Sequence, residues 1–129
     1  MNVQSIKLLV IEDSSVLADR IAELIVEIPE IELIGVTDSE PEAVRTLKRG
    51  AIDIVLLDLH LKQGTGFGIL RSMSTLSNKP RTIVFTNHDS ADYENNARTL
   101  GATMFLDKAR DFPRLRQILE EAVEAIRLQ

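Results

Sequence analysis

Short continuous apolar runs alternate along this chain with longer segments in which apolar residues recur every three or four positions. Lys7–Ile11 reads Lys-Leu-Leu-Val-Ile, a run that predicts a first strand buried on both faces rather than wetted on one. Leu17, Ile21, Leu24, Ile25 and Ile28 then mark one face of a first helix, with Pro29 as its stop. Ile31–Val36 predicts a second strand. Pro41 in a first turn and Gly50 just past the end bracket a second helix with Ala43, Val44 and Leu47 turned inward. Ile54–Leu57 is a third buried strand, followed by a glycine-rich loop and a third helix whose inward face uses Phe67, Leu70 and Met73. Thr82–Phe85 is the fourth strand. The mostly polar segment from Asp89 to Leu100 predicts a loosely packed fourth helix, with only Ala91, Tyr93, Ala97 and Leu100 to bury. Met104–Leu106 is a short fifth strand. Asp111 is placed to cap a fifth helix carrying Leu115, Ile118, Leu119, Ala122, Val123 and Ile126. Five strands alternating with five helices imply right-handed crossovers and a parallel sheet covered on both sides.

Composition narrows the class. A length of 129 residues suits one domain over 1–129, and 44% apolar with 27% charged residues is the balance of a soluble globular protein. Aromatic residues make up only 4%, so aliphatic side chains must fill the core. Twenty acidic against 15 basic residues give a net charge of -5, a field that repels phosphate backbones and anionic membranes, so direct nucleic-acid binding is not expected. With no cysteine, disulfides, thiolate metal sites and cysteine nucleophiles are excluded. No segment approaches the roughly 20 apolar residues that span a bilayer, and no export signal precedes the first strand, which predicts a soluble, unexported protein.

In an open parallel sheet, ligands bind at the carboxyl ends of the strands. Strand 1 ends in Glu12-Asp13, strand 3 in Asp58, strand 4 in Thr86 and strand 5 in Asp107-Lys108. Taken singly, each has a structural reading: Asp13 as turn former, Thr86 as cap of the fourth helix, Lys108 as a solvated loop lysine. Asp58 is different, because it follows four apolar residues of a buried strand at the point where that strand meets the functional edge. Brought together, the carboxylates repel by roughly 4 kcal/mol per pair at about 4 Å and an effective dielectric near 20, so the cluster calls for a cation or for raised pKa values. Lys108 is one cation, and magnesium suits carboxylates, retained waters and a phosphoryl oxygen. The stretch Gly64-Thr65-Gly66-Phe67-Gly68 has neither GxGxxG spacing nor a following Gly-Lys-Ser/Thr, so it reads as a flexible turn rather than a nucleotide cradle.

With Leu-Val-Ile-Glu12-Asp13-Ser, Ile-Val-Leu-Leu-Asp58-Leu, Ile-Val-Phe-Thr86, Gly101-Ala102 and Phe105-Leu-Asp-Lys108, the chain resembles the receiver domains of two-component response regulators over essentially its whole length. The resemblance implies a flavodoxin-like, doubly wound α/β sheet in strand order 2-1-3-4-5. It implies that Asp58 is phosphorylated, and that Glu12 and Asp13 bind Mg2+, or Mn2+, together with Asp58 and the backbone carbonyl of His60. Thr86 and Lys108 would contact the phosphoryl group, and Phe105 would change rotamer with Thr86 as the switch. The partners so implied are a sensor histidine kinase or histidine phosphotransfer protein, and a downstream target or effector domain. A homodimer on phosphorylation, using helix 4, strand 5 and helix 5, and a cytoplasmic location complete the expectation. Such a module catalyses only its own phosphorylation and dephosphorylation.

His60 and His88 stand two residues beyond Asp58 and Thr86, where family members flank the path of the hydrolytic water. They are candidates for tuning the acyl-phosphate lifetime, against the plainer reading of two loop histidines. Where the family commonly carries a cis proline after the lysine, this chain has Ala109, so a trans bond and a differently shaped loop are expected. Two other functions compete. A haloacid-dehalogenase-like phosphatase would place a second aspartate where His60 stands. A receiver-like module that binds a partner without phosphorylation would not need the full set of strand-end residues.

Overall fold

The computed structural model describes residues 4–87 and 90–129. Five strands, β1 (Ile6–Ile11), β2 (Ile31–Thr37), β3 (Ile54–Leu57), β4 (Arg81–Thr86) and β5 (Met104–Asp107), form one sheet in the order β2-β1-β3-β4-β5, every pairing parallel. Between and after them run α1 (Ser15–Val26), α2 (Glu40–Lys48), α3 (Gly66–Met73), α4 (Ala91–Thr99) and α5 (Leu115–Arg127). A single helical turn, Lys108–Asp111, and a 3-10 turn, Phe112–Arg114, lead into α5. The flavodoxin-like order expected from the resemblance is the one observed.

The unbroken apolar runs have the predicted cause. Successive side chains of a strand point to opposite faces. Leu8 and Val10 of β1 join a core shared with α1 and α5, while Leu9 and Ile11 join a second core shared with α2 and α3. Ile54 and Leu56 of β3 divide from Val55 and Leu57 in the same way. Burying each such side chain contributes roughly 1.5–3 kcal/mol, so one polar residue within these runs would forfeit a large share of the sheet's stability.

Helices α1 to α4 each open on a hydroxyl. Ser14 accepts from Leu17 N–H at 3.2 Å, Thr65 from Gly68 N–H at 3.1 Å and Ser90 from Tyr93 N–H at 3.1 Å, while Ser39 and Glu42 N–H stand 3.5 Å apart. These caps satisfy N–H groups that the first helical turn leaves unpaired. Gly50, just past α2, has φ +85 and Ala51 follows at φ +69, a left-handed pair that turns the chain sharply into β3.

Three expectations are refined. Of the four residues expected to bury in the fourth helical segment, Ala97 is buried, Tyr93 and Leu100 are half-buried and Ala91, the first helical residue, is exposed; the expected start at Asp89 lies outside the described residues. In α3 the fully buried residue is Ile69, beside Leu70 and Met73, while Phe67 is half-buried. Asp111 does not cap α5, whose first turn receives no side-chain cap. Asp107 caps the preceding turn instead, accepting from Arg110 N–H at 2.7 Å, and Asp111 folds back to accept from Asp107 N–H at 2.9 Å. Arg114 at 3.0 Å and Arg110 at 3.4 Å pair with Asp111, holding the chain that carries Lys108. Burial alone would raise the Asp111 carboxyl, but the Asp107 N–H and the two guanidinium groups outweigh it and hold it below the ordinary carboxylate range. No peptide bond among the described residues is cis, so the trans bond expected before Ala109 is the one found.

Candidate functional site at the carboxyl edge of the sheet

Strand registers bring distant residues to one edge. Ile11 pairs with Leu57, Leu57 with Val84, and Thr86 with Asp107. The ladder continues past the last regular positions, because Asp58 N–H donates to the Ile11 carbonyl and Glu12 N–H to the Thr37 carbonyl, both at 2.9 Å. Glu12 and Asp58 are thereby set on neighbouring strands, each only 4% exposed.

Lys108 joins them. Its Nζ lies 2.8 Å from Glu12 Oε2 and 2.9 Å from Asp58 Oδ2. The same Glu12 oxygen accepts the Ser14 N–H at 3.0 Å, and Asp58 Oδ1 accepts the His60 N–H at 3.2 Å. Both answers to carboxylate repulsion anticipated from the sequence are realised. Burial pushes the Glu12 carboxyl up, with the Asp58 charge adding to it, and the Lys108 and Ser14 hydrogen bonds recover only part of the rise. Burial by itself would pull the Lys108 ammonium down, but its hydrogen bonds and attraction to Glu12 and Asp58 prevail and hold it above the ordinary lysine value.

Asp13 follows Glu12 at the rim, where the two line a cleft of about 260 Å³ with Asp38, Glu42 and Lys62. Asp13 Oδ1 is shielded from solvent and accepts no hydrogen bond. A buried acceptor left unsatisfied costs roughly 1–3 kcal/mol. A small hard cation with oxygen ligands is the kind of group that would relieve it, and carboxylates plus a backbone carbonyl are its ordinary ligands. Among the described residues no three His, Asp or Glu side chains form a ready-made metal cage. The Lys108 ammonium, held between Glu12 and Asp58, supplies the neutralising charge there.

Thr86 is fully buried at the end of β4, and Phe105, opposite Val84 in β5, is half-buried against the second core. The His60 ring lies 5.9 Å from the Tyr93 ring of α4, which in turn meets Phe67 edge-on at 5.7 Å. His88 lies outside the described residues. The sequence therefore located Glu12, Asp58 and Lys108 as one cluster, and the structure brings these three together. It gave no sign of Asp111 behind Lys108, nor of Glu40, whose Oε1 accepts the Thr65 N–H at 2.9 Å in the loop after Asp58. The only available signal for the latter was the glycine-rich stretch itself.

A family model for the response regulator receiver domain matches residues 8–120. The chain belongs to that family. It is thus a receiver domain of two-component signal transduction. The sensory transduction protein LytT of Bacillus anthracis is 29% identical over 116 residues, 90% of this chain and 46% of that protein. The receiver domain described here accordingly spans about half the length of this curated relative. Its fold is shared with the response regulatory domain of mrkE from Klebsiella pneumoniae, at TM-score 0.87 and 20% identity, covering 96% of this chain and 100% of that one. It is shared too with the CheX-CheY-BeF3-Mg+2 complex from Borrelia burgdorferi, at TM-score 0.81 and 20% identity over 98% and 92% of the two chains. Among the described residues, no helix is long and apolar enough to cross a membrane.

Proposed function

We propose that this receiver domain accepts a phosphoryl group on Asp58 from a histidine kinase or histidine phosphotransfer protein, with Mg2+ as the working cation and Mn2+ as a substitute. The observation that carries the reading is the part-buried Lys108 ammonium bridging the buried Glu12 and Asp58 carboxylates. Such an ammonium stands beside the carboxylate that becomes esterified, 2.9 Å from its Oδ2, where it can meet the charge of an arriving phosphoryl group. Asp58, Asp13, Glu12 and the His60 carbonyl would hold the cation, a role supported by the unsatisfied Asp13 Oδ1 and by the Mg+2 in the related Borrelia burgdorferi complex. When bound, the cation supplies neutralising charge to the phosphoryl oxygens.

Phosphoryl transfer asks the protein chiefly for positioning and charge stabilisation. A carboxylate oxygen of Asp58 attacks phosphorus, the bond from phosphorus to the donor's imidazole nitrogen breaks, and an acyl phosphate forms on Asp58. Lys108 donates to the incoming oxyanion as Asp58 loses its own charge. The Thr86 hydroxyl then turns toward the phosphoryl oxygens and Phe105 moves into the space it leaves, biasing α4, β5 and α5 toward a second packing. Sparse burial in α4 makes that helix the inexpensive element to shift. Recognition by a downstream target or effector domain, and dimerisation, would use this face in the cytoplasm.

Incubation with acetyl phosphate, followed by intact-mass measurement, tests the proposal. The wild-type chain should gain one phosphoryl group in the presence of Mg2+ and none after chelation, and Asp58→Asn should gain none. A wild-type chain that stays unmodified at saturating Mg2+ would favour a partner-binding module that works without phosphorylation.

A further inference from the structure

Composition makes Gly64-Thr65-Gly66-Phe67-Gly68 look like a flexible turn, yet the structure packs it closely on two sides. On one side is the backbone of Asp58 itself. A Cβ on Gly66 would stand 2.5 Å from the Asp58 carbonyl oxygen and 2.8 Å from Leu59 Cα. Gly66 N–H donates to the Leu59 carbonyl at 3.0 Å, and His60 bridges Thr65 in antiparallel fashion. The chain therefore leaves Asp58, turns and closes back on it.

On the other side is a carboxylate from the first turn of α2. Glu40 Oε1 accepts the Thr65 N–H at 2.9 Å, and Glu40 N–H donates to the Gln63 carbonyl at 2.8 Å. A Cβ on Gly64 would collide with Glu40 Oε1, and one on Gly68 with Glu40 Oε2. Both oxygens thus lie against loop and helix backbone at the start of α3, where the helix end favours negative charge. Ser39 adds a parallel bridge to Gln63 beside this contact.

We infer that Glu40 is a positioning residue for the phosphoryl site. Its carboxylate pins the loop from Gln63 to Gly68, and Gly66 with the His60–Thr65 bridge transmits that restraint to the backbone of Asp58 and His60. The His60 N–H is already committed to Asp58 Oδ1 at 3.2 Å, so the direction of the adjoining backbone is set with it. Glu40 touches neither the nucleophile nor the cation. It acts by fixing the carbonyl that would complete the cation's shell, and the inference therefore rests on the phosphoacceptor reading of Asp58.

The test compares wild type, Glu40→Ala and Glu40→Gln in the unphosphorylated state. Mg2+ affinity is measured by calorimetry, amide exchange at His60 and Thr65 is followed without metal, and Tm is recorded for each variant. Loss of an outer-shell support typically weakens metal binding about 10- to 100-fold. Glu40→Ala should fall by at least about tenfold, with faster exchange at both amides, whereas Glu40→Gln, which keeps an oxygen for the Thr65 N–H, should stay within about threefold. If Glu40→Ala does not fold, Glu40→Asp, whose carboxylate is drawn back by one methylene, must show the same contrast with Glu40→Gln. A lowered Tm with unchanged Mg2+ affinity overturns the inference and leaves Glu40 a structural contact. A wild-type chain that binds no Mg2+ at all overturns the phosphoacceptor reading instead, and the two failures are told apart by wild type alone.

Discussion

Lys108 reaches 50 positions back along the chain to set its Nζ 2.9 Å from Asp58 Oδ2, in a site where that carboxyl is almost wholly buried. This pair links stability to chemistry. Breaking a buried ion pair by removing one partner costs about 3–5 kcal/mol, because the remaining charge has no solvent. Lys108→Met should therefore lower the unfolding free energy by about 3 kcal/mol. It should also slow labelling by acetyl phosphate about a hundredfold, the usual loss when a charge-stabilising donor is removed. Adding Glu12→Gln to Lys108→Met should restore part of the stability and none of the labelling rate. Denaturant titration and labelling kinetics on the four members of this cycle measure both, and a double variant that regains its rate would contradict the role given to Lys108.

Stability should respond to pH at both ends of the scale. Asp111 lies below its ordinary 3.8 in the folded chain, so its contribution is complete above that value and is lost as pH falls through the folded one. Lys108 lies above its ordinary 10.5, so its contribution is complete below that value and is lost as pH rises through the folded one. Glu12 has the opposite sign to Asp111. Its raised carboxyl opposes folding while ionised, and that penalty fades as pH falls toward 4.5. Denaturant midpoints across the pH range should fall less steeply in acid for Asp111→Asn, and less steeply in alkali for Lys108→Met, than for wild type. Parallel curves would contradict these assignments.

Two glycines separate conformational cost from collision. Gly50 has φ +85 with open space where a Cβ would lie, so Gly50→Ala should cost about 1–2 kcal/mol and leave labelling unchanged. At Gly66 the added methyl meets the Asp58 carbonyl and the Leu59 backbone, so Gly66→Ala should lower both stability and labelling rate. Equal labelling by the two variants would argue against close packing behind Asp58.

Removing the His60 imidazole should change the lifetime of the acyl phosphate severalfold, since His60 follows Asp58 by two residues and its ring lies 5.9 Å from the Tyr93 ring of α4. His60→Ala and His88→Ala, singly and together, can be followed by decay of the phosphorylated mass at several pH values. Wild-type decay at every pH would assign both imidazoles no part in hydrolysis.

Much of this was legible in the chain because buried parallel strands write a plain signal. Leu8 to Ile11 and Ile54 to Leu57 are apolar at every position since both faces are covered, and the first polar residue after each marks the functional edge. Asp111 misled for a physical reason: an aspartate a few residues before a helical pattern looks the same whether it caps that helix or turns back to bind Asp107 N–H and two arginines. The glycines after β3 misled similarly. Glycine marks both a free chain and a chain pressed against a neighbour, and which applies at Gly64 and Gly68 depends on Glu40, a residue from another helix. Tertiary contacts of that kind leave no local periodicity to read.

The proposed esterification of Asp58 by phosphate within the Lys108–Glu12 cluster leaves a chemical mark that can be read directly. Borohydride reduces an aspartyl phosphate to homoserine, so reduction after treatment with acetyl phosphate and Mg2+, followed by peptide sequencing by mass spectrometry, reads out the modified position. Homoserine at position 58 and nowhere else is the predicted result. Homoserine at Asp13 or another carboxylate, or an unreduced Asp58 in a chain that has gained phosphate, would contradict it.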